Sequence, residues 1–194
     1  MDALSTLGRT LGFSFAAGVN LYATVALLGL ASRYGWVSLP SQYGAFNNEW
    51  VIGAAIFMYI VEFFADKVPY LDTAWDAVHT VIRPIGGALV AVTTLGEASP
   101  TTEALVMLLG GATAASSHLT KTSTRAVANT SPEPFSNWLL SLGEDAFVIG
   151  LGLLALKYPL AALAVAVVLL VLIAVFATVV IRTVRRWFAR GTVG

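Results

Sequence analysis

The chain has 194 residues and a mass of 20.4 kDa, the size of one domain. Apolar residues make up 57% of it and charged residues 11%, the formal net charge is zero and cysteine is absent. So few charges cannot cover the surface of a soluble globule. The composition points to an integral membrane protein, and it excludes a disulfide scaffold, thiolate chemistry and a basic nucleic-acid binder.

The first long charge-free run, Thr10 to Ser32, is long enough to cross a hydrocarbon core of ~30 Å as one helix. It is too long for the core of a signal peptide and shows no convincing cleavage site, so it reads as a retained helix. Gly35, Pro40, Gly44, Asn47 and Asn48 mark 33–49 as an outside loop. Next come four shorter charge-free runs, 50–61, 84–96, 104–117 and 146–156. None spans a bilayer alone. Each becomes a span when it extends into the charged stretch beside it, giving helices over 50–66, 72–95, 102–121 and 135–157. The last run, Tyr158 to Ile181, is a sixth span.

The expected fold is therefore all-α: a polytopic bundle of about six transmembrane helices in one domain, 1–194. Its layout allows two inverted three-helix halves, 1–98 and 99–194. The basic tail 182–194, with Arg182, Arg185, Arg186 and Arg190, reads as a cytoplasmic anchor. With six spans both termini are cytoplasmic, and most other basic residues fall on the same side. Gly8-x-x-x-Gly12 and Ala162-x-x-x-Ala166 are small-residue pairs that let helices approach closely.

The charges inside the spans carry the functional reading. Counted from the outer helix ends, Glu62, Arg83 and Glu144 lie ~18–20 Å deep and His79 and His118 ~24–26 Å deep. Asp72, Asp76, His79 and Arg83 share one helix face, Glu62 and Asp66 a second, and His118, Lys121 and Arg125 a third. Glu144 and Asp145 form a fourth acidic point. A carboxylate at membrane depth costs ~2.5–3.5 kcal/mol on insertion scales, so such groups tend to face a cavity or a partner. Agreement in depth on four helices is what a shared polar cavity, open towards the cytoplasm, would produce. Asn20 and Tyr22 add polar groups on the first helix and read as packing and hydrogen bonding.

The string Glu62-Phe-Phe-Ala-Asp66-Lys67-Val-Pro69-x-x-Asp72-x-x-Trp75-Asp76-x-x-His79-x-x-x-Arg83-Pro84 stands beside three others. These are Gly18-Val-Asn20-Leu-Tyr22, His118-x-x-Lys121-x-x-x-Arg125-x-x-x-Asn129-x-Ser131-Pro132 and Ser141-x-x-Glu144-Asp145. Together they resemble a family of small bacterial polytopic membrane proteins, the domain of unknown function four-one-two-six, over roughly residues 11–171. That resemblance implies a bacterial polytopic membrane protein and brings no activity with it; the expected location is the bacterial inner membrane. Glu62-x-x-x-Asp66-Lys67 is also similar to the Glu-x-Gly-Asp-Lys-Thr of a manganese and calcium transporter family. It departs by one residue in spacing, lacks the Gly and Thr, and has no second copy.

The expected function is a transporter or channel for a small ion or solute, foremost a cation. Glu62, Asp66, Asp72, Asp76, Glu144 and Asp145 would coordinate it or carry protons. His79 and His118 would be ligands or relays, and Arg83, Lys121 and Arg125 would balance charge. No cofactor is implied beyond a divalent cation as substrate or ligand. The expected partners are the bilayer and the solute, with no nucleic acid, and the small bundle allows a homodimer. Lipid or lipid-phosphate handling, an intramembrane enzyme and an accessory subunit are the alternatives. The enzyme reading ranks behind transport. Asp72-x-x-x-Asp76 has a diphosphate-binding spacing but no second acidic motif, and no Ser-His-Asp or zinc-protease signature occurs.

Overall fold

A computed structural model describes residues 3–39, 41–130 and 135–191. Ser131 and Pro132 of the family-like string, and residues 192–194 of the tail, lie outside the described residues. Seven α-helices follow one another: α1 (Ala3–Val19), α2 (Leu21–Arg33), α3 (Glu49–Ala65), α4 (Pro69–Leu95), α5 (Pro100–Ala128), α6 (Phe135–Lys157) and α7 (Pro159–Gly191). The described residues contain no strand. A 3₁₀ turn over Ser41–Asn47 lies within the loop expected between the first two spans.

Three helices are long and apolar enough to cross a membrane: α4 over Tyr70–Leu95, α6 over Phe135–Lys157 and α7 over Pro159–Trp187. The other expected spans take a different form. The first is not one helix but two that fold back on each other at Asn20. Along α6, Gly12 of α1 lies at Ala155 and Asn20 at Asp145, and α2 then returns to place Leu27 at Gly152. The start of α1 therefore lies at the end of the bundle opposite the end of α7, not at the same end as the six-span reading expects. The span expected over 50–66 is the 17-residue α3, ending at Ala65 with Asp66 as its C-cap. The span expected over 102–121 is α5, which runs on to Ala128 and so carries Arg125 on the same helix as His118 and Lys121. The basic tail begins as the continuation of α7 rather than a separate segment.

The bundle is built around α1. Eleven of its 17 residues are buried, and it packs against α2, α4, α5, α6 and α7. Small residues make this possible. A Cβ on Gly8 would overlap the Pro159 carbonyl of α7, and one on Gly12 would press on Ala155 of α6 and Ala162 of α7. The two small-residue pairs of the sequence thus meet at the α1–α7 contact, where Ala162 and Ala166 are fully buried. On the other side a Cβ on Gly18 would overlap Ser117 Oγ and the Ala114 carbonyl of α5. Helices α4 and α5 close tightly for the same reason: a Cβ on Gly87 would overlap Ala114, and one on Gly110 would overlap Ala91. Gly96, at φ 93°, ends α4 in a conformation that side chains rarely adopt.

Pro69, Pro100 and Pro159 each start a helix, where the missing N–H would be unpaired in any case. Ser99 caps α5, its hydroxyl accepting from the Thr102 N–H at 3.2 Å. Short connections make α3 antiparallel to α4 and α6 antiparallel to α7. The C-terminal ends of α3, α5 and α7 and the N-terminal ends of α4 and α6 therefore lie at one end of the bundle. The charged residues of four helices gather there.

Candidate functional site: a buried charge network beside a broken helix

All eleven candidate residues converge. Glu62, Asp66, Asp72, Asp76, His79, Arg83, His118, Lys121, Arg125 and Asp145 are buried, and the Glu144 side chain is 16% exposed. The interior they share is not the open cavity expected. It is filled by ion pairs, because the helices stand close enough for long side chains to reach across.

Three cations organise it. Arg83 on α4 meets Glu62 on α3 at 2.6 Å and Asp76 at 3.3 Å. Lys121 on α5 meets Glu62 at 3.3 Å, Asp66 at 3.0 Å and Glu144 at 3.5 Å. Arg125, one turn further along α5, grips Glu144 with two bonds, Nε to Oε1 at 3.1 Å and Nη2 to Oε2 at 2.6 Å. It also meets Asp66 Oδ2 at 3.1 Å and Asp72 at 3.8 Å, and donates to the Asp66 carbonyl at 2.8 Å, closing the C-terminus of α3. Asn129, the C-cap of α5, donates to Asp72 Oδ2 at 2.8 Å and accepts from the Asn137 amide at 2.6 Å.

Hydrogen-bond partners fix the histidine tautomers. Arg83 can only donate, so His118 Nδ1, at 2.8 Å from its Nη1, is an acceptor. The ring proton then sits on Nε2 and goes to Thr80 Oγ1 at 3.1 Å, while the Thr80 hydroxyl donates to the Asp76 carbonyl at 3.0 Å. His79 is the opposite tautomer. Its Nδ1 donates to the Trp75 carbonyl at 2.7 Å, and Nε2 of the neutral ring accepts from the Tyr22 hydroxyl at 3.0 Å. Among the described residues no three histidine or carboxylate side chains gather as a metal site requires.

Asn20, read from the sequence as packing and hydrogen bonding, does hydrogen-bond, and it also breaks the first helix. It takes an extended backbone, φ −145° and ψ 102°, between α1 and α2. Its Oδ1 accepts the Ala23 N–H at 2.9 Å and so caps α2. Its amide donates to Asp145 Oδ1 at 3.2 Å. The break leaves Gly18 O without its helical donor, and Arg83 of α4 reaches it at 3.4 Å. Ser117 Oγ of α5 adds a further bond to α1, donating to Phe15 O at 2.9 Å. The only signal in the sequence was a Gly and an Asn within a long apolar run.

The charge balance is uneven. Six carboxylates face Arg83, Lys121 and Arg125, with Lys67 at the rim. Asp145 forms no ion pair among the described residues, and its Oδ2 has no hydrogen-bond partner. Glu62 Oε2, Asp66 Oδ1, Asp72 Oδ1 and Asp76 Oδ1 also lack hydrogen-bond partners. A groove of about 350 Å³ between α4 and α5 reaches the network from outside, lined by Asp72, Asp76, Thr80, Ser123, Arg125 and Asn129.

A mostly apolar helical bundle with a polar centre at one end and a central helix pair that turns back inside it is a membrane-protein architecture. The chain belongs to the family described as Domain of unknown function (DUF4126), whose model matches residues 7–179. No curated protein and no solved structure matches it.

Proposed function

We propose that this protein is a transporter that moves a small cation across a membrane in exchange for protons. One observation carries the reading: five buried carboxylates and the part-exposed Glu144 share three buried cations beside a broken helix, and Asp145 forms no ion pair among the described residues. Uncompensated negative charge in a low-dielectric interior is costly, so it is relieved by taking up a proton or a cation. Each loading event would weaken the ion pairs of the carboxylate that receives it. Loss of charge on Glu62, for example, frees Arg83 and Lys121 together, which loosens α3 from α4 and α5. The groove between α4 and α5 is the proposed entrance, and the break at Asn20 is the point where α1 and α2 move relative to each other. His79 and His118 join the hydrogen-bond network as relays. The arginines at the end of α7 support a cytoplasmic position for the network and an inner-membrane location.

The test is flux in proteoliposomes with K⁺, Mg²⁺, Ca²⁺, Mn²⁺ and Zn²⁺, with and without a pH gradient. Asp145→Asn should abolish pH-driven flux while leaving the thermal melt within a few degrees of wild type. Full flux from that variant, or no pH-driven flux of any of these ions through the folded wild type, would overturn the proposal.

A further inference from the structure

A second cavity stands apart from the charge network. About 1210 Å³ in volume, it lies between α3, α4 and α6. Its walls are apolar, built from residues such as Met58, Phe64, Leu71, Ile82 and Leu142. Leu71 and Ile82 are eleven residues apart on α4, or ~16 Å along the axis. That is about half of a ~30 Å hydrocarbon core, the depth of one leaflet. The pocket therefore extends along the helices over that depth, and Phe64, Leu71 and Trp138 leave its flank open to the surroundings.

Its polar feature at one end is Lys67, in the turn between α3 and α4. Lys121, Arg83 and Arg125 each meet two or more carboxylates. Lys67 forms no ion pair among the described residues. Its ammonium donates to Phe63 O at 2.8 Å and Ser141 Oγ at 3.4 Å, so one of its three hydrogens has no oxygen acceptor. It rests on the Phe63 ring and faces Trp138 at 5.9 Å. A cation among aromatic rings at the end of a membrane-crossing helix sits where lipid headgroups lie.

We infer that this pocket holds an acyl chain of an anionic phospholipid, with the headgroup phosphate bound by Lys67. The length of the pocket fits the chain, its apolar walls exclude a polar solute, and the ammonium, which makes no salt bridge among the described residues, complements the phosphate. Tyr22 and His79 form part of the inner wall. A bound lipid therefore lies against the side of the charge network. This inference does not depend on the transport reading.

Trp75 and Trp138 line the pocket, so tryptophan fluorescence reports occupancy. The full chain carrying Trp36→Phe, Trp50→Phe and Trp187→Phe would be reconstituted in phosphatidylcholine vesicles. These would contain equal mole fractions of tail-brominated phosphatidylglycerol or tail-brominated phosphatidylcholine. The phosphatidylglycerol should quench more strongly. Lys67→Gln should reduce its apparent preference about five-fold, in line with the usual attraction of one lysine near an anionic surface, and Lys67→Arg should keep it. Ala74→Phe, which fills the pocket without touching the lysine, should reduce quenching by both lipids. Equal quenching by the two lipids, or an unchanged preference in folded Lys67→Gln, would overturn the inference. If Lys67→Gln does not fold, undiminished quenching in Ala74→Phe would do so.

Discussion

Arg83 and Glu62 meet at 2.6 Å with both side chains fully withdrawn from solvent. The same guanidinium touches Asp76, His118 and the Gly18 carbonyl, so it ties α1, α3 and α5 to α4. Removing one member of such a pair leaves the other charged and buried. Arg83→Met should destabilise the protein by about 3–5 kcal/mol. The Glu62→Met/Arg83→Met double variant should lose less than the sum of the two single variants, because neither charge is then stranded. Thermal unfolding in detergent, followed by tryptophan fluorescence, measures both. Strict additivity would show that the pair is not coupled.

Arg125 depends on shape as well as charge. Its Nε and Nη2 hold both oxygens of Glu144, Nη2 also donates to the Asp66 carboxylate, and Nη1 donates to the Asp66 carbonyl. A lysine keeps the charge but cannot make the forked contact. Arg125→Lys should therefore lower stability by about 1–3 kcal/mol, the value of charge-assisted bonds lost. Lys121→Arg removes no charge either, but it forces a larger group into a buried site, and should lower the melting temperature as well. A melt series on the two reciprocal variants checks whether the positions are interchangeable, and unchanged melting in both would contradict the geometry.

Asn20 has two separable jobs. Its Oδ1 caps α2, and its amide holds Asp145. Asn20→Ala loses both and should cost about 1 kcal/mol from the cap alone. Asn20→Ser keeps a capping oxygen but is too short to hold Asp145. It should melt within a few tenths of a kcal/mol of wild type while the flux driven by a pH gradient falls. Wild-type flux in Asn20→Ser would separate the cap from any part in transport.

The convergence of charges was legible in the sequence because four apolar runs were too short to span. The charges beside them had to be inside the bundle, and helical spacing put Asp72, Asp76, His79 and Arg83 on one face. The form of the site was not legible. Whether facing charges enclose a cavity or close into pairs depends on interhelical distance, and that is set by Gly87, Gly110 and Gly18 against their neighbours. The break at Asn20 was hidden for another reason. No charge falls between Thr10 and Ser32, and hydropathy has no term for a backbone that leaves the helix for one residue. The Gly18 carbonyl freed there is met by Arg83, which lies 65 positions away in sequence. Only the fold brings that donor to the break.

Two helical glycines distinguish close packing from intrinsic helix preference. Gly143 on α6 has nothing within 4 Å of the position a Cβ would take. Gly143→Ala should stabilise by about 0.4–1 kcal/mol, since alanine restricts the unfolded chain at no steric cost. Gly18 near the end of α1 has the same intrinsic preference to gain, but its Cβ would fall on Ser117 Oγ and the Ala114 backbone carbonyl. The hydroxyl can rotate away, whereas the carbonyl belongs to the helix and moves only with α5. Gly18→Ala should therefore destabilise by about 1–3 kcal/mol, as overpacking does. Because Gly18 O accepts from Arg83, displacement there also shifts the guanidinium away from Glu62 and His118. Gly18→Ala combined with Arg83→Met should accordingly cost less than the two changes add up to. A rise in melting temperature for both glycine variants would mean that α1 and α5 do not approach as closely as described.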